Sequence, residues 1–462
     1  MSPDEYYEHE GTPAERAEPG RFPPNHVRYS PWLRPLEWLN ALGGGAAPWM
    51  LALERPGLAA FDAAAPHDAL TGTPDELARL RECVGTMLRG FDRNPYLLGV
   101  GRAIYRRSVV GLLGVRARVL QHYADNRAFI EAHGKMRAPI LIAGMPRTGS
   151  TLLQRLMSED PRSRSPRTYE LEAPLPPLGP DADPLADPRI AQASSVIGTL
   201  QRMAPGFIEK FSESHLLGAT EFEESFIYML GHHGMAMVGA PGAGATASRA
   251  LLAVEDKRPV LRYERLLFTM LDAYRPAPSH WTLKAPNYAP VFPLVFETYP
   301  DVRMVVTHRN PLIVLPSVCR LLESWCVAFD REGTFDKKGF AKHARIFLDA
   351  CLTGPLAHRR AHPELDARIF DCMYDELFAD PIAMVKRIYA FFDLEVTAVF
   401  EQRMRAYLDA NRQGKYGRHR YSLEEYGIDA EQYADEHREY MDRYGYRVGP
   451  AGAPERKASL GA

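Results

Sequence analysis

The chain has 462 residues, 46% of them hydrophobic and 25% charged, which suits one large globular domain with additions or two smaller ones. A net charge of −2 leaves no basic footprint for nucleic acid. Five scattered cysteines without a CxxC pair argue against a disulfide framework or a zinc site, and no run of 18 apolar residues offers a spanning helix.

Residues 1–28 are rich in Pro, Gly and acid and read as a flexible arm without the basic start and apolar core of a secretory signal. A cytoplasmic protein is the expectation. Residues 29–135 form a helical region. One segment opens at Pro74, Asp75 and Glu76, and Val100 to Tyr123 runs with few breakers. This region carries no chemical motif. It reads first as scaffold or oligomerisation element, and second as a lid or acceptor-binding element.

An α/β domain is expected over 136–448, with a flexible tail over 449–462. It begins with PILIAGMPRTGSTLL, Pro139 to Leu153, where an apolar strand meets a Gly-x4-Gly turn and a helix start at Ser150. Backbone N–H groups of such a loop point inward and the helix presents its positive end, so the loop is a phosphate cradle. The lysine of a nucleoside triphosphatase would stand where Ser150 is. Here the cation is Arg147, inside the loop, which suits an adenylate-like donor with less terminal charge than ATP and no essential magnesium.

A Pro-rich crossing follows at Glu172 to Pro188, then helical and loop sequence as far as Pro276. Within it, GHHGMAMVGAPGAGATASRA is too rich in Gly and Ala to pack densely and reads as a mobile loop. Strands are expected at His280 to Lys284, Val302 to Thr307 and Ala367 to Met373. Helices are expected between them, at Pro381 to Phe392 and at Tyr433 to Tyr446. Strands alternating with helices predict a parallel sheet flanked by helices. Arg309 stands just past the strand Val302 to Thr307, where open α/β sheets bind ligands, and Ser317 follows eight residues later.

The pair PRTGSTLL and HRNPLIVLPS resembles the two donor-binding signatures of sulfotransferases that use PAPS, 3′-phosphoadenosine 5′-phosphosulfate. The resemblance continues through WTLKAP, FPLVFETYPDVRMVVTHR and CMYDELFADPIAMVKRIYAFFDLE, and covers most of residues 137 to 430. It implies a P-loop-like fold and transfer of a sulfuryl group from PAPS to an acceptor hydroxyl or amine by in-line displacement, without a metal ion. It further implies that Arg147, Thr148, Gly149, Ser150 and Thr151 surround the phosphosulfate. Arg309 and Ser317 would hold the 3′-phosphate, and Tyr374 would lie near the adenine. Lys284 would meet the transferred or bridging oxygen.

The chain also departs from the family's cytosolic small-molecule members. These usually carry Lys at the Arg147 position, whereas tyrosylprotein and many bacterial members carry Arg. The cytosolic members' glycine-rich C-terminal clamp is not evident, and Lys415 and Arg418 are its stand-ins. Their catalytic His falls on Pro286, so a carboxylate base is expected. Glu170, 23 residues past Arg147, is the first choice, with Glu172 beside it and Glu224 second. The acceptor is expected to be a small or lipid-like molecule. The alternatives are an atypical P-loop kinase, disfavoured by Ser150 and by the missing acid after Val302 to Thr307, and a PAPS-binding protein without turnover.

Overall fold

The computed structural model describes residues 31–44, 46–204, 208, 217–235, 257–329, 336–411, 423–449 and 454–456. Five parallel strands form one sheet in the order β2-β3-β1-β4-β5. They are β1 (Ile140–Gly144), β2 (Ser163–Arg164), β3 (His280–Lys284), β4 (Arg303–His308) and β5 (Ile369–Met373). Every residue of β1 and β3 is buried, as a parallel sheet covered on both faces by helices requires.

The expected parallel α/β architecture is therefore the observed one, and β3 has the bounds read from the sequence. The two-residue β2 was not foreseen, because a segment that short carries no periodicity. The expected helix Tyr433 to Tyr446 is two short ones, Ala430–Glu436 and Arg438–Arg443. Gly445 at φ 71 ends the second, since a left-handed residue cannot continue a right-handed helix.

Strand β1 is central, with β3 on one side and β4 on the other. The chain changes direction across the sheet there, so the loops leaving β1, β3, β4 and β5 converge at one edge. Gly144 pairs with Thr307, which brings the phosphate-type loop beside the end of β4.

The N-terminal helices are joined to this sheet by a continuous apolar core. Leu80, Met87, Leu113 and Leu120 share one buried cluster with Leu141, Trp281, Leu283 and Met304. The helix Pro74–Arg93 opens on a capping box. The Thr73 hydroxyl accepts from the Glu76 N–H at 3.3 Å, and the Glu76 carboxylate accepts from the Thr73 N–H at 2.8 Å. Such a cap contributes about 1 kcal/mol. Glu76 also accepts from Arg262 at 2.7 Å, so the same carboxylate that starts this helix pins it to the helix Arg258–Tyr274.

Candidate active site

The loop between β1 and the helix Ser150–Met157 contains three residues in the left-handed region: Gly144 at φ 124, Arg147 at φ 65 and Gly149 at φ 85. At Gly144 an added Cβ would lie 2.4 Å from the Thr307 carbonyl oxygen, so only glycine permits this approach. Arg147 is the one side-chain-bearing residue of the loop held there, a conformation that persists only when its surroundings impose it. The Thr307 hydroxyl donates to the Ala143 carbonyl at 3.0 Å, and the Thr148 hydroxyl lies 2.6 Å from both Thr307 Oγ1 and the Met145 carbonyl. Thr148 is fully buried. Its hydroxyl stiffens the loop from inside, which leaves its backbone N–H, rather than its side chain, for a ligand.

Four elements then bring their side chains to the mouth of this loop. Arg147 Nε donates to Ser317 Oγ at 3.2 Å, from the helix Pro311–Phe329 that follows β4. Arg309 donates to the Arg147 carbonyl at 2.9 Å, and its guanidinium lies 3.9 Å over the ring of Tyr374, the residue after β5. Among the described residues, Arg309 Nε is buried without a hydrogen-bond partner. A buried donor left open beside a second arginine and a serine fits a bound phosphate. Ser150 and Thr151 start the loop helix, so its positive end adds to the same field.

Arg309 is held from behind by residues far along the chain. The neighbouring His308 ring stands 3.0 Å from the Tyr440 hydroxyl through Nδ1 and 2.9 Å from Asp371 through Nε2. Asp371 also accepts from Arg359 at 2.7 Å. Burial raises the Asp371 carboxyl, but His308 and Arg359 outweigh it and hold the group well below the usual carboxylate range. The Tyr440 hydroxyl accepts from the Arg309 backbone N–H. Nothing in the local sequence pointed to Tyr440. Only its place in the C-terminal helix Arg438–Arg443 brings it there.

The second half of the site lies at the end of β3. Lys284, almost wholly buried, donates to the Glu224 carboxylate at 2.7 Å and reaches Thr151 Oγ1 at 3.4 Å. Glu224 precedes the helix Ser225–His232, whose start is fixed by a buried chain. Ser225 Oγ meets the Tyr288 hydroxyl at 2.7 Å, and Tyr288 donates to Glu264 at 2.7 Å. Burial pushes the Glu264 carboxyl up to about 7 despite the bonds from Tyr288, Tyr299 and Ser225. Residues 60 positions apart, Glu224 and Lys284, thus meet against one wall of the phosphate-type loop.

Glu170 lies elsewhere. Its carboxylate pairs with Arg164 at 2.6 Å and accepts from the Arg167 N–H at 3.1 Å, closing the first turn of Thr168–Glu172. Arg164 is itself stacked on Trp281. Glu172 faces Tyr228 and Glu223, and burial pushes its carboxyl up to about 7. His232 bonds the Tyr263 hydroxyl and the Leu171 carbonyl, and His233 the Met229 carbonyl. Burial holds both rings below the usual histidine range, so they are neutral core residues. Lys415 and Arg418, and the Gly/Ala-rich stretch beyond Met235, lie outside the described residues. Among the described residues, no group of three or more His, Cys, Asp and Glu side chains could hold a metal ion.

The profile described as "Sulfotransferase family" matches residues 139–398, which include the loop, Glu224, Lys284, Arg309, Ser317 and Tyr374. The chain belongs to the sulfotransferase family. This sulfotransferase is 24% identical over 328 residues to omega-hydroxy-beta-dihydromenaquinone-9 sulfotransferase Stf3 of Mycobacterium bovis, covering 67% of the chain and 75% of the relative. The same figures hold for the protein of that name in Mycobacterium tuberculosis. Its fold is shared with sulfotransferase STF9 from Mycobacterium avium, at TM-score 0.69 and 23% identity over 84% of this chain and 96% of that one. STF1 from Mycobacterium tuberculosis superposes at TM-score 0.63 and 22% identity, over 82% and 97%. The sulfotransferase is an enzyme of sulfuryl transfer, and among its described residues no helix is long and apolar enough to cross a membrane.

Proposed function

We propose that this sulfotransferase takes its sulfuryl group from PAPS and delivers it to the hydroxyl of a lipid-like acceptor, with Glu224 as the base. The observation that carries the proposal is the position of Lys284, between Glu224 at 2.7 Å and Thr151 at 3.4 Å. A proton acceptor and a cation share one point at the rim of the phosphate-type loop. The 3′-phosphate is assigned to Ser317 and to Arg309, whose guanidinium lies over Tyr374, and the phosphosulfate to Arg147 with the backbone N–H groups of 148–151.

The acceptor oxygen attacks sulfur in line as its proton passes to the Glu224 carboxylate. The bond from sulfur to the bridging oxygen breaks, and that oxygen leaves with the electron pair on adenosine 3′,5′-bisphosphate. Lys284 offsets the charge that grows on the departing phosphate, the kind of contribution that strengthens in the transition state. Glu170 is the weaker choice of base, because Arg164 and the Arg167 N–H already occupy its carboxylate. The lipid-like acceptor follows from the relative whose name gives it a dihydromenaquinone substrate, and a cytoplasmic site of action accords with a donor made as a soluble nucleotide.

The test is single-turnover transfer from labelled PAPS to a panel of lipid alcohols by Glu224→Gln and Glu170→Gln. Glu224→Gln is expected to lower kcat by about 10²–10⁴-fold with little change in donor affinity. A Glu224→Gln enzyme with unchanged kcat overturns the base assignment. Calorimetry with adenosine 3′,5′-bisphosphate against ATP and magnesium tests the donor; tighter, magnesium-dependent ATP binding would favour the kinase alternative.

A further inference from the structure

The described residues of segment 31–53, PWLRPLEWLNALGGGAAPWMLAL, pack against the N-terminal helices and leave several large apolar side chains outside. Its polar groups face inward. The Glu37 carboxylate accepts from the Gly99 and Val100 N–H groups at 3.0 and 2.9 Å, and Asn40 donates to the Leu97 carbonyl. These bonds cap the first turn of the helix Gly99–Asp125. Leu33, Leu51 and Leu53 are buried, but five other large apolar side chains face outward. Trp32 is 64% exposed, Trp38 74%, Leu42 82%, Trp49 82% and Met50 50%. Along the helix Arg34–Ala41 and its flanks, exposed positions 31, 34, 35, 38, 41 and 42 follow helical spacing, and Arg34 is the one polar residue among them. A surface helix normally turns such a stripe to the core. Three exposed tryptophans within 18 residues are apolar exposure of the sort that marks an interaction site.

The charges around this patch say what it fits. Among the described residues, the acids at this end face inward or are paired. Glu37 caps the helix, Asp92 accepts from the Leu53 and Glu54 N–H groups at 2.7 and 2.8 Å, and Glu54 pairs with Arg89. Arg102 is buried against Asn40, but other arginines are at the surface. Arg34, Arg55, Arg93 and Arg107 are exposed, and Arg106 reaches across to the Met50 and Ala52 carbonyls. Exposed tryptophans, exposed arginines on the same and neighbouring elements, and no acid turned outward among the described residues of 31–53 match the headgroup region of an anionic bilayer. A second copy of the chain fits poorly, because a two-fold pairing of this face would set arginine against arginine.

We propose that segment 31–53 is a membrane-docking surface, on which Trp32, Trp38 and Trp49 enter the interface of an anionic bilayer while the surrounding arginines meet its phosphates. The enzyme is then peripheral, held at the surface from which a lipid-like acceptor would come. Docking is read by vesicle binding rather than turnover, so it can fail without touching the donor assignment.

The test is flotation of the full chain with vesicles of phosphatidylcholine alone or mixed with phosphatidylglycerol. The wild-type protein is expected to float with the mixed vesicles and to show a blue shift in tryptophan emission. Trp32→Ser/Trp38→Ser/Trp49→Ser together should lower vesicle affinity by about tenfold or more. Arg34→Gln with Arg107→Gln should lower it by about tenfold on mixed vesicles only. Binding of adenosine 3′,5′-bisphosphate should be unchanged in both variants, which shows that the fold and donor site persist. A wild-type chain that ignores both vesicles, or a triple variant that floats equally well, overturns the proposal. So does a wild-type dimer, seen by light scattering, that the triple variant dissociates, since that assigns the face to a second copy.

Discussion

Wholly or half-buried arginines occur in both halves of the molecule but are surrounded differently. In the N-terminal helices, Arg102 is saturated by Asn40 and by the carbonyls of Phe91 and Asn94, and Arg116 pairs with Asp68. These cations hold chain ends and helices together. At the sheet edge, Arg147, Arg309 and Lys284 gather around one loop where Glu224 is the carboxylate bonded to Lys284. Arg309 keeps an open donor. Arg116 Nε is open as well, so the difference lies in charge: among the described residues, Arg116 is paired with a carboxylate, whereas Arg309 meets only a backbone carbonyl and a tyrosine ring, which leaves its charge for an anion.

Substitutions can break this contrast, beginning with the largest effect. Lys284→Met should lower kcat of the folded fraction by about 10²–10³-fold, since it removes a charge proposed to act on the leaving phosphate, and should cost some stability because Glu224 loses its partner. Equal losses of kcat and stability would make Lys284 structural. The counterpart in the helices is Asp68→Asn, which leaves Arg116 buried and uncompensated. It should destabilise the fold by about 3–5 kcal/mol in urea titration while the folded fraction keeps the wild-type donor KM.

The acidic pair behind the site gives a pH prediction. Burial raises the Glu172 carboxyl from its ordinary value to about 7 beside Glu223. A folded pKa above the unfolded one stabilises fully below about 4.5, and that stability is lost as pH rises through about 7. Melting followed from pH 5 to pH 8 should therefore show a loss that Glu172→Gln abolishes, on the order of 1–3 kcal/mol. A Glu172→Gln profile parallel to wild type sinks the assignment.

The smallest effect sharpens the comparison most. Tyr440→Phe removes the hydroxyl that meets His308 and the Arg309 N–H. One lost hydrogen bond of about 1 kcal/mol should raise donor KM about fivefold with kcat kept. A fall in kcat at unchanged KM would mean that Tyr440 serves the fold rather than the clamp.

The arrangement proposed to hold the donor was legible because its parts are local. A glycine loop after a strand, an arginine past another strand and a serine two helical turns later are fixed by sequence spacing once the sheet is parallel. The fold class followed from the same alternation of strands and helices. The Glu224–Lys284 contact was not readable in this way. Both residues were candidates, but 60 positions separate them, and the buried chain Ser225–Tyr288–Glu264 sets their meeting. Glu170 shows the converse. Its spacing from Arg147 suits a base, yet Arg164 and the helix start occupy its carboxylate.

By itself, then, the sequence determined the phosphate-type loop and the parallel sheet, because short-range backbone geometry dictates both, and its motifs carried the resemblance that gave the chemical class. The tertiary structure alone decided which carboxylate faces the lysine and how Tyr440 backs Arg309. It also decided that Trp32, Trp38 and Trp49 face outward. Composition cannot say which side of a helix meets the core; that depends on where distant groups such as the Gly99 and Val100 N–H donors require Glu37 to turn.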